Sequence, residues 1–530
     1  MGSRFGPQSA ATRFALGCLL ISGTISTGCV NKEGEALPPG LMSFPIAIEL
    51  AVDRNADGEP KYVYVTSSNF ALQYNAGNVQ SYDLQKMIDA IKTGCLGAGV
   101  LESCLDPLFE GDINDPSCAC DPMRDADATG KDACVVVPPD RCSVIPAELE
   151  VQGQDQGAAL RLVPVEGLLR GEVLIGSFSD GLGVATDGRR LYVPVRSDAN
   201  LTFIDVDEEG QLSCGGQFGQ RQTCMPAYRS GSAEQVNPSV ELSLPSDPVD
   251  VYVGDLAADF APTSSPDDPA FRGDYILMAH REGEVSMFFD QLRPGGPEPQ
   301  RRPRLAATLD GLAPEQVTIT LEPGANIAWI PSAVTTAIDR VGIGIDGDPT
   351  QSYLFDAGPL IVTGLDNGNN NRDALFDPRP GRNLAYIVSR SPQALIVASR
   401  DATNGELTMI GQVSTCRDPS RLQLAEVPAR GGTVVLAFVS CFLSRNVQVI
   451  DVDRIQGVTL LTNISGAFEF VIDGPRLLMY TADFSASVLR VADLQPLVAC
   501  LESGKDGPEE CAPVLLGLVG LPQPVSGLPR

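Results

Sequence analysis

The sequence predicts an all-β protein built from repeated hairpins. The clearest copy runs from Asp187 to Val206. It reads as a polar turn, a β-rich run at 191–195, a second turn, and another β-rich run at 201–206. β-Branched and aromatic residues bounded by Gly, Asp or Asn are typical of a hairpin. The 53 glycines and 41 prolines among 530 residues agree, because turn-dense β proteins need many of both.

The same order of turn, strand, turn and strand recurs along the chain. It is present first at residues 42–84, and five later copies follow the one at 187–206. The central strands of the later copies are predicted at 275–279, 325–330, 384–389, 433–438 and 473–480. In the second half they lie roughly 45 to 60 residues apart, which suits a repeat of four short strands. Seven copies are therefore predicted.

Two of these copies identify the repeat type. Asp187-Gly-Arg-Arg-Leu-Tyr-Val193, followed by Thr202-Phe-Ile-Asp205, resembles the YVTN type of β-propeller repeat, and Asn446–Asp451 is the next best copy. The resemblance covers most of residues 42–530 and implies one β-propeller with seven blades. Residues 514–524 look like a strand that opens a repeat, left over after the last copy. We expect that strand to pair into the first blade and close the ring.

Residues 85–155 do not follow the repeat. They begin with a helical pattern at 84–92, with apolar residues at i, i+3, i+4 and i+7, and continue as an Asp- and Pro-rich region. Six cysteines crowd into this stretch, which is too small for a large core. We interpret it as a disulfide-rich subdomain inserted in blade one. It is either a surface for partner recognition or a structural loop.

The N-terminus predicts export. Arg4 and Arg13 precede an apolar run at 14–25, which is too short to span a bilayer as a mature helix. The run ends in Ile25-Ser26-Thr27-Gly28-Cys29, which resembles the lipobox of bacterial lipoproteins. This resemblance implies a signal peptide at 1–28, a lipidated Cys29 and a tether at 29–41. Ordinary secretory cleavage, with Cys29 a spare thiol, is the alternative.

The residues after Cys29 bear on the membrane that would hold the lipid. Val30 and Asn31 follow the cysteine. By resemblance to the sorting rule of Gram-negative lipoproteins, the lack of Asp there implies the outer membrane, on its periplasmic or its surface side. Two or more acyl chains anchor a protein stably without a spanning helix, so the membrane is expected to be a partner only through this lipid.

Cysteine usage agrees with export. Without Cys18 and Cys29, an even number of the 14 cysteines remains, which is typical of disulfides in an exported chain. Proximity predicts three pairs: Cys214 with Cys224, Cys416 with Cys441, and Cys500 with Cys511. The other six lie in the insertion and can pair in many ways: Cys95, Cys104, Cys118, Cys120, Cys134 and Cys142. A zinc cluster is disfavoured, because Cys118-Ala-Cys120 is not the usual Cys-x-x-Cys spacing.

The charge balance excludes one class of partner. The chain has 38 basic and 67 acidic side chains, for a net charge of −29. Nucleic acids and anionic lipid head groups bind basic surfaces, so neither is expected to be a partner.

One loop is a candidate calcium site. Asp53-x-Asn55-x-Asp57-Gly58 matches the first half of a calcium loop, with oxygen donors at alternate positions, and residues 125–130 and 205–210 are similar. None has the Glu at position 12 that completes an EF-hand. Asp, Asn and Gly also form turns without any metal, so Ca²⁺ is a weak candidate.

Histidine is too scarce for several kinds of catalytic centre. The chain has one, His280, which rules out a multi-His copper or zinc site. Its neighbours predict a hairpin position. It is also the weak candidate for a general base, although no Gly-x-Ser-x-Gly elbow accompanies it.

These patterns favour a lipid-anchored propeller of the cell envelope that binds or scaffolds a protein, glycan or small ligand. The alternative is a propeller hydrolase of lactonase type, in which acids and His280 converge on the central channel. The two differ in one observable, since an enzyme needs convergent polar groups with perturbed pKa values at the channel mouth.

Overall fold

The computed structural model describes residues 36–52, 59–96, 134–137, 161–165, 167–231, 244–262, 268–291, 302–345, 351–363, 369–401, 405–462, 464, 466–503 and 511–520. Strands dominate these ranges, so the predicted all-β class is confirmed. The described ranges contain three α-helices, α1 (Leu84–Leu96), α2 (Leu256–Phe260) and α3 (Gln495–Ser503), and two short 3-10 helices at Pro226–Tyr228 and Pro269–Phe271. In the described ranges, no helix combines the length and the apolar character needed to cross a bilayer.

The first two sheets come from the N-terminal part of the chain. In hydrogen-bonded order, sheet 1 contains β1 (Pro45–Val52), β2 (Pro60–Ser67), β3 (Gly77–Asp83), β6 (Leu169–Ile175) and β11 (Gln222–Thr223). Sheet 2 contains β10 (Leu212–Ser213), β9 (Asn200–Val206), β8 (Arg190–Val195) and β7 (Gly183–Val184), with β12 (Arg229–Ser230) also on β9.

The middle of the chain forms one regular sheet and one large sheet. Sheet 3 contains β13 (Pro248–Asp255), β14 (Gly273–His280), β15 (Glu284–Gln291) and β16 (Arg304–Leu309). Sheet 4 contains β17 (Thr320–Leu321), β18 (Ile327–Pro331), β19 (Ala337–Ile345), β21 (Leu360–Thr363), β25 (Leu407–Ser414), β24 (Gln393–Arg400), β23 (Leu384–Ser391) and β22 (Asn369–Phe376), with β20 (Ser352–Asp356) on β19.

The last two sheets use the C-terminal part of the chain, one strand of the insertion and one strand that follows it. Sheet 5 contains β26 (Pro419–Ala429), β27 (Gly432–Cys441), β28 (Asn446–Asp451) and β29 (Gln456–Leu461). Sheet 6 contains β30 (Ala467–Asp473), β31 (Leu478–Asp483), β32 (Val488–Asp493), β33 (Val514–Val519), β4 (Cys134–Val137) and β5 (Arg161–Pro164).

Each sheet is built around an antiparallel meander, as a β-propeller requires. The hairpin predicted at 187–206 is confirmed, because β8 and β9 pair from Arg190 with Asp205 to Val195 with Asn200. Sheet 4 holds two such meanders, joined where β21 pairs with both β19 and β25. The described residues therefore form six hydrogen-bonded sheets, and the count of seven blades stays a prediction.

The ring closes by packing the last sheet against the first. Ile48 and Val63 of sheet 1 share one buried core cluster with Tyr480 and Leu489 of sheet 6. In addition, Arg476 Nη1 donates a hydrogen bond to the carbonyl of Pro60 at 2.9 Å. Apolar contact and a polar contact thus hold the two ends of the propeller together.

The C-terminal strand has a different partner from the one expected. β33 pairs with β32 inside sheet 6, where the expectation was a strand of the first blade. Because β30, β31 and β32 are added in chain order, β32 would otherwise present an open edge, and α3 turns the chain back to fill it. The other edge of β33 pairs with β4, which belongs to the segment inserted in sheet 1.

The insertion is described only in part. The predicted helix is confirmed as α1, which is longer than the pattern indicated. Residues 97–133 and 138–160 lie outside the described ranges, and so do four of the six clustered cysteines, Cys104, Cys118, Cys120 and Cys142. Their pairing with Cys95 and Cys134 stays a prediction. Residues 1–35, with the signal peptide and Cys29, also lie outside the described ranges.

The three disulfides expected from proximity are present. Cα atoms lie 4.9 Å apart for Cys214–Cys224, 5.8 Å for Cys416–Cys441 and 5.3 Å for Cys500–Cys511. These separations suit a disulfide. The third bridge ties α3 to the residues just before β33.

The tether ends earlier than the predicted boundary at residue 41. Leu37 and Leu41 are fully buried against sheet 1. Glu172 holds this segment, since its Oε2 accepts from the N–H of Gly40 at 3.1 Å and pairs with Arg221 Nε at 2.9 Å. Arg221 also donates to the carbonyl of Leu37. The folded domain therefore begins by residue 37.

A buried ionic cluster connects sheets 2 and 3. Arg190 Nη1 lies 2.7 Å from Asp290 Oδ2, and its Nε donates to Asp205 Oδ1 at 2.8 Å. The hydroxyl oxygen of Tyr192 lies 2.7 Å from Asp290 Oδ2 and 3.0 Å from Asp274 Oδ2, and it can donate its proton to either carboxylate. Asp290 has no solvent exposure, so its charge depends on these partners.

We expect Arg190→Met to lower the free energy of unfolding by about 3–5 kcal/mol, because it leaves Asp290 buried without its cation. Denaturant unfolding with the disulfides intact measures this. The matched control is Arg382→Met, since Arg382 is exposed and lies 3.8 Å from Asp453; about 0–1 kcal/mol is expected there. Equal losses in the two variants would contradict the role given to the buried cluster.

Candidate functional site

The first strands of the meanders surround the central channel. β1 packs beside β30 and β7, β26 packs beside β22 and β30, and β13 packs beside β7. A first strand has a neighbour in its own sheet on one side only, so its other edge and the residues just before it face the channel. Side chains from these positions in different sheets therefore meet.

One backbone feature recurs where the chain enters these strands. Five non-glycine residues there adopt a left-handed conformation, with φ between 53° and 61°: Phe44, Phe178, Asp247, Glu315 and Asp418. Each carbonyl accepts an N–H, at 2.9–3.1 Å, from the residue that follows the second strand of the same meander: Ser68, Arg196, Arg281, Ala333 and Phe442 respectively. The backbone is thus constant while the side chains differ, and non-glycine residues in this conformation often mark functional positions. We call this end of the channel the mouth.

Charged side chains occupy one half of the mouth. Arg196 pairs with Asp180 at 2.8 Å and with Asp247 at 2.5 Å. Arg281 lies 3.4 Å from Glu315, which extends the row into sheet 4. The same half continues to sheet 5, where Arg390 Nε lies 2.7 Å from Asp418.

Arg421 is the buried cation of the channel. Its side chain comes from β26 and its Nη1 approaches the carbonyl of Val317, before β17, at 3.5 Å. Its Nε lies 3.9 Å from Glu469 of β30, and its guanidinium stands 5.5 Å from the ring centre of Phe468. Burial lowers the pKa of Arg421, but the charges of Glu469 and Asp250 outweigh burial and raise it overall. The guanidinium is therefore charged at any physiological pH.

Two carboxylates bridge neighbouring first strands. Asp250 of β13 accepts the N–H of Ile319 at 3.0 Å, and Asp373 of β22 accepts the N–H of Leu422 at 2.8 Å. Burial raises the pKa of Asp250 to about 6, against the opposing pull of Arg421. Burial also raises the pKa of Asp373. With a pKa of about 6, Asp250 is mostly ionised at neutral pH and is a stronger base than an ordinary carboxylate.

A second pair of acids completes the channel. Burial, and then repulsion from Asp250, raises the pKa of Glu49 on β1 to about 8. The pKa of Glu469 is also raised well above its ordinary value, chiefly by burial. Glu49 keeps partial solvent exposure, as a group lining a narrow channel should. At neutral pH, Glu49 is a proton donor and Asp250 a proton acceptor, which is how acid and base roles are separated in enzymes.

Arg372 has a charge that no carboxylate balances closely. Within the described ranges it forms no ion pair, and its buried Nε has no hydrogen-bond partner. Burial, and then repulsion from Arg390 and Arg421, lowers the pKa of Arg372 to about 9. Asp418 opposes this shift only in part.

Phenylalanines occupy the other half of the mouth. Phe484 is the hub, with ring centres of its neighbours at 5.0–6.3 Å. The set, called the phenylalanine arc below, consists of Phe44, Phe70, Phe178, Phe442, Phe468 and Phe484. Phe70 is 54% exposed, so this half of the mouth is open to solvent.

His280 does not join the site as a free base. It is fully buried at the end of β14, where its Nδ1 lies 2.9 Å from the carbonyl of Ser246 and its Nε2 2.9 Å from Ser286 Oγ. Burial lowers the pKa of His280 to about 4. The predicted hairpin position is confirmed, and the ring serves to connect strands.

The candidate calcium loop lies outside the described ranges. It contains Asp53, Asn55 and Asp57, and Ca²⁺ there stays a prediction. At 205–210, Asp207 Oδ1 accepts the N–H groups of Glu209 and Gln211, which is an ordinary turn. Across the part of the chain that the structure describes, no group of three or more His, Cys, Asp or Glu side chains could hold a metal.

The residues of the mouth are not apparent from the sequence. One sequence feature does mark them. Phe442 and Phe484 each follow the central strand of a repeat, at the position where Arg196 and Arg281 stand in earlier repeats. A residue that differs between copies at a fixed position cannot be explained by the repeat itself. Nothing in the sequence brings Arg421, Asp250 and Glu49 together, because they lie on three different sheets.

Comparisons with known proteins add no family. No protein-family model matches the chain, and no curated protein does. Solved structures with a similar course include a protein of Bacteroides uniformis provisionally described as a 6-phosphogluconolactonase, at 13% identity over 79% of this chain and 84% of that one, with a TM-score of 0.40. A periplasmic gluconolactonase of Pseudomonas aeruginosa has 14% identity over 74% and 97%, with a TM-score of 0.40. Hydrazine synthase of Kuenenia stuttgartiensis has 10% identity over 88% and 98%, with a TM-score of 0.45. At these values the likenesses say nothing of the reaction.

The burial of the His280 ring can be tested directly by NMR, because the sequence has no other histidine. We expect its NMR signals to stay constant from pH 8 to 5.5 and to titrate near pH 4. A free imidazole titrates near 6.5, so the unfolded chain binds this proton first. The contribution of His280 to stability is thus complete above pH 6.5 and is lost as the pH falls towards 4. A midpoint between 6 and 7 would refute this placement.

Proposed function

We propose that the chain is a hydrolase of lactonase type that acts on small cyclic esters at the channel mouth. One observation carries the proposal: Asp250, Glu49 and Arg421 come from three sheets to one channel, and the two acids have pKa values near 6 and 8. An acid–base pair needs pKa values on either side of neutrality, as these two acids have.

The chemistry assigns one role to each group. Asp250 accepts a proton from water as the water oxygen bonds to the ester carbonyl carbon. The guanidinium of Arg421 stabilises the oxyanion that forms. When the ring carbon–oxygen bond breaks, Glu49 gives its proton to the leaving alkoxide. The product is a hydroxy acid, and solvent exchange restores both carboxyl groups.

A pH profile with matched variants tests this mechanism. We expect kcat/KM on small lactones to be bell-shaped, with limbs near pH 6 and 8 that belong to the coupled acids. Asp250→Asn should lower kcat by about 10²–10⁴-fold, and Glu49→Gln should remove the alkaline limb.

Asp493→Asn is the control for these variants. Burial also raises the pKa of Asp493, but this residue caps α3 at the end of β32, away from the mouth. It should leave kcat and both limbs unchanged. Equal activity in the wild type and Asp250→Asn would rule out Asp250 as the base.

A binding module is the second candidate, and the open phenylalanine arc favours it. Phe70 and the neighbouring Leu72, 57% exposed, present an apolar surface that an enzyme for polar lactones does not need. Saturable binding of a ligand at the mouth with no turnover of any lactone would favour this candidate over the hydrolase.

We also infer that the protein acts in the cell envelope, held by a lipid on Cys29. The sequence at 1–29 supports this inference, and the three disulfides support an oxidising compartment. In a bacterial host, [³H]palmitate should label the wild type and not Cys29→Ser. Cys18→Ser serves as the control, since Cys18 lies in the predicted signal peptide. Label retained in Cys29→Ser would contradict lipidation there.

A further inference from the structure

The charged half and the apolar half of the mouth are in direct contact. The guanidinium of Arg421 stands 5.5 Å from the ring centre of Phe468, and that of Arg196 stands 6.0 Å from the ring centre of Phe178. A ligand that reaches one half is therefore beside the other.

The apolar half is exposed in a way that folding does not require. Phe70 is 54%, Leu72 57% and Leu443 58% exposed, and all three follow the second strand of a meander beside the arc. Phenylalanine offers no hydrogen-bonding group, so the arc suits hydrocarbon or aryl groups better than sugar hydroxyls.

The charged half contains one arginine, Arg372, that has no carboxylate paired with it in the described ranges. Arg372 has no ion pair within the described ranges, and the buried Nε atoms of Arg372 and Arg421 donate no hydrogen bond. Gln316, which is 2% exposed and lies on the adjoining segment, also has an unused Nε2 donor. Arg372 is thus a largely buried cation without a paired carboxylate, and it has unused donors of Arg421 and Gln316 in the same part of the mouth, so the group suits an anion.

We propose that the mouth binds an anionic amphiphile, with a carboxylate at Arg372 and Arg421 and a hydrocarbon chain on the phenylalanine arc. The ligand carboxylate would pair with the guanidinium of Arg372, and the hydrocarbon chain would cover the exposed surface of the phenylalanine arc. Where it names a substrate class, the inference rests on the proposed function: the lactone carries an apolar substituent, and its hydroxy acid product carries the carboxylate.

Calorimetric titration of the full chain with octanoate, butyrate and octanol tests the inference without any turnover. Octanoate should bind at least tenfold more tightly than butyrate, which lacks the chain, and at least tenfold more tightly than octanol, which lacks the charge. Equal affinities for octanoate and butyrate would overturn the apolar half, and equal affinities for octanoate and octanol would overturn the cationic half.

Arg372→Met separates a binding role from a structural one. Octanoate affinity should fall at least tenfold, while Tm in buffer without octanoate should stay the same or rise, because repulsion among the guanidinium groups is relieved. A fall in Tm with unchanged affinity would overturn the proposal.

Phe70→Ser keeps the proposal testable if Arg372→Met does not fold, since Phe70 is already half exposed. It should reduce the preference for octanoate over butyrate at least threefold and leave butyrate affinity unchanged. Phe218→Ser, at an exposed turn after β10, is the matched control and should change neither affinity. An unchanged preference in Phe70→Ser would exclude the arc.

The experiments distinguish the amphiphile site from the proposed hydrolysis. Octanoate binding without hydrolysis of any lactone upholds the amphiphile site and removes the reaction. Hydrolysis of small lactones without a preference for octanoate upholds the reaction and overturns the amphiphile site.

Discussion

The buried charge of Arg421 is the constraint on which the channel depends. A guanidinium in a closed interior costs several kcal/mol unless carboxylates surround it. Glu469, Asp250 and Asp373 supply that compensation from three sheets, so the ring of sheets and the charge balance require each other. The same arrangement leaves more acids than Arg421 can satisfy. Burial raises the pKa values of these acids, and repulsion between them adds to the rise, so that Asp250 and Glu49 exchange protons near neutral pH.

The mouth adds asymmetry to this centre. A repeated backbone turn brings one residue from each of several meanders to the same rim, where Phe44 and Phe178 stand in place of Asp247 and Asp418. Blades that share the same backbone conformation at the rim therefore carry different side chains there. A propeller with equal blades would have a rim of one character, whereas this one has a charged half and an apolar half that meet at Arg421 and Phe468.

Local features of this fold were predictable from the sequence and distant ones were not. The β8–β9 hairpin and the Cys214–Cys224 bridge depend on residues close in the chain, so alternation and spacing identify them. The partner of β33 depends on which edge remains open, which a linear pattern does not record. The channel depends on long-range packing, and no local pattern distinguishes Arg421 or Glu49 from the other polar residues of the sequence.

The most direct test of the channel as a reaction centre is a crystal structure of the full chain with a lactam, the stable analogue of a cyclic ester. We expect the lactam carbonyl oxygen within hydrogen-bonding distance of the Arg421 guanidinium, with its carbonyl carbon facing Asp250 across one water. A lactam bound on another surface, with the channel filled by ordered water, would contradict the account.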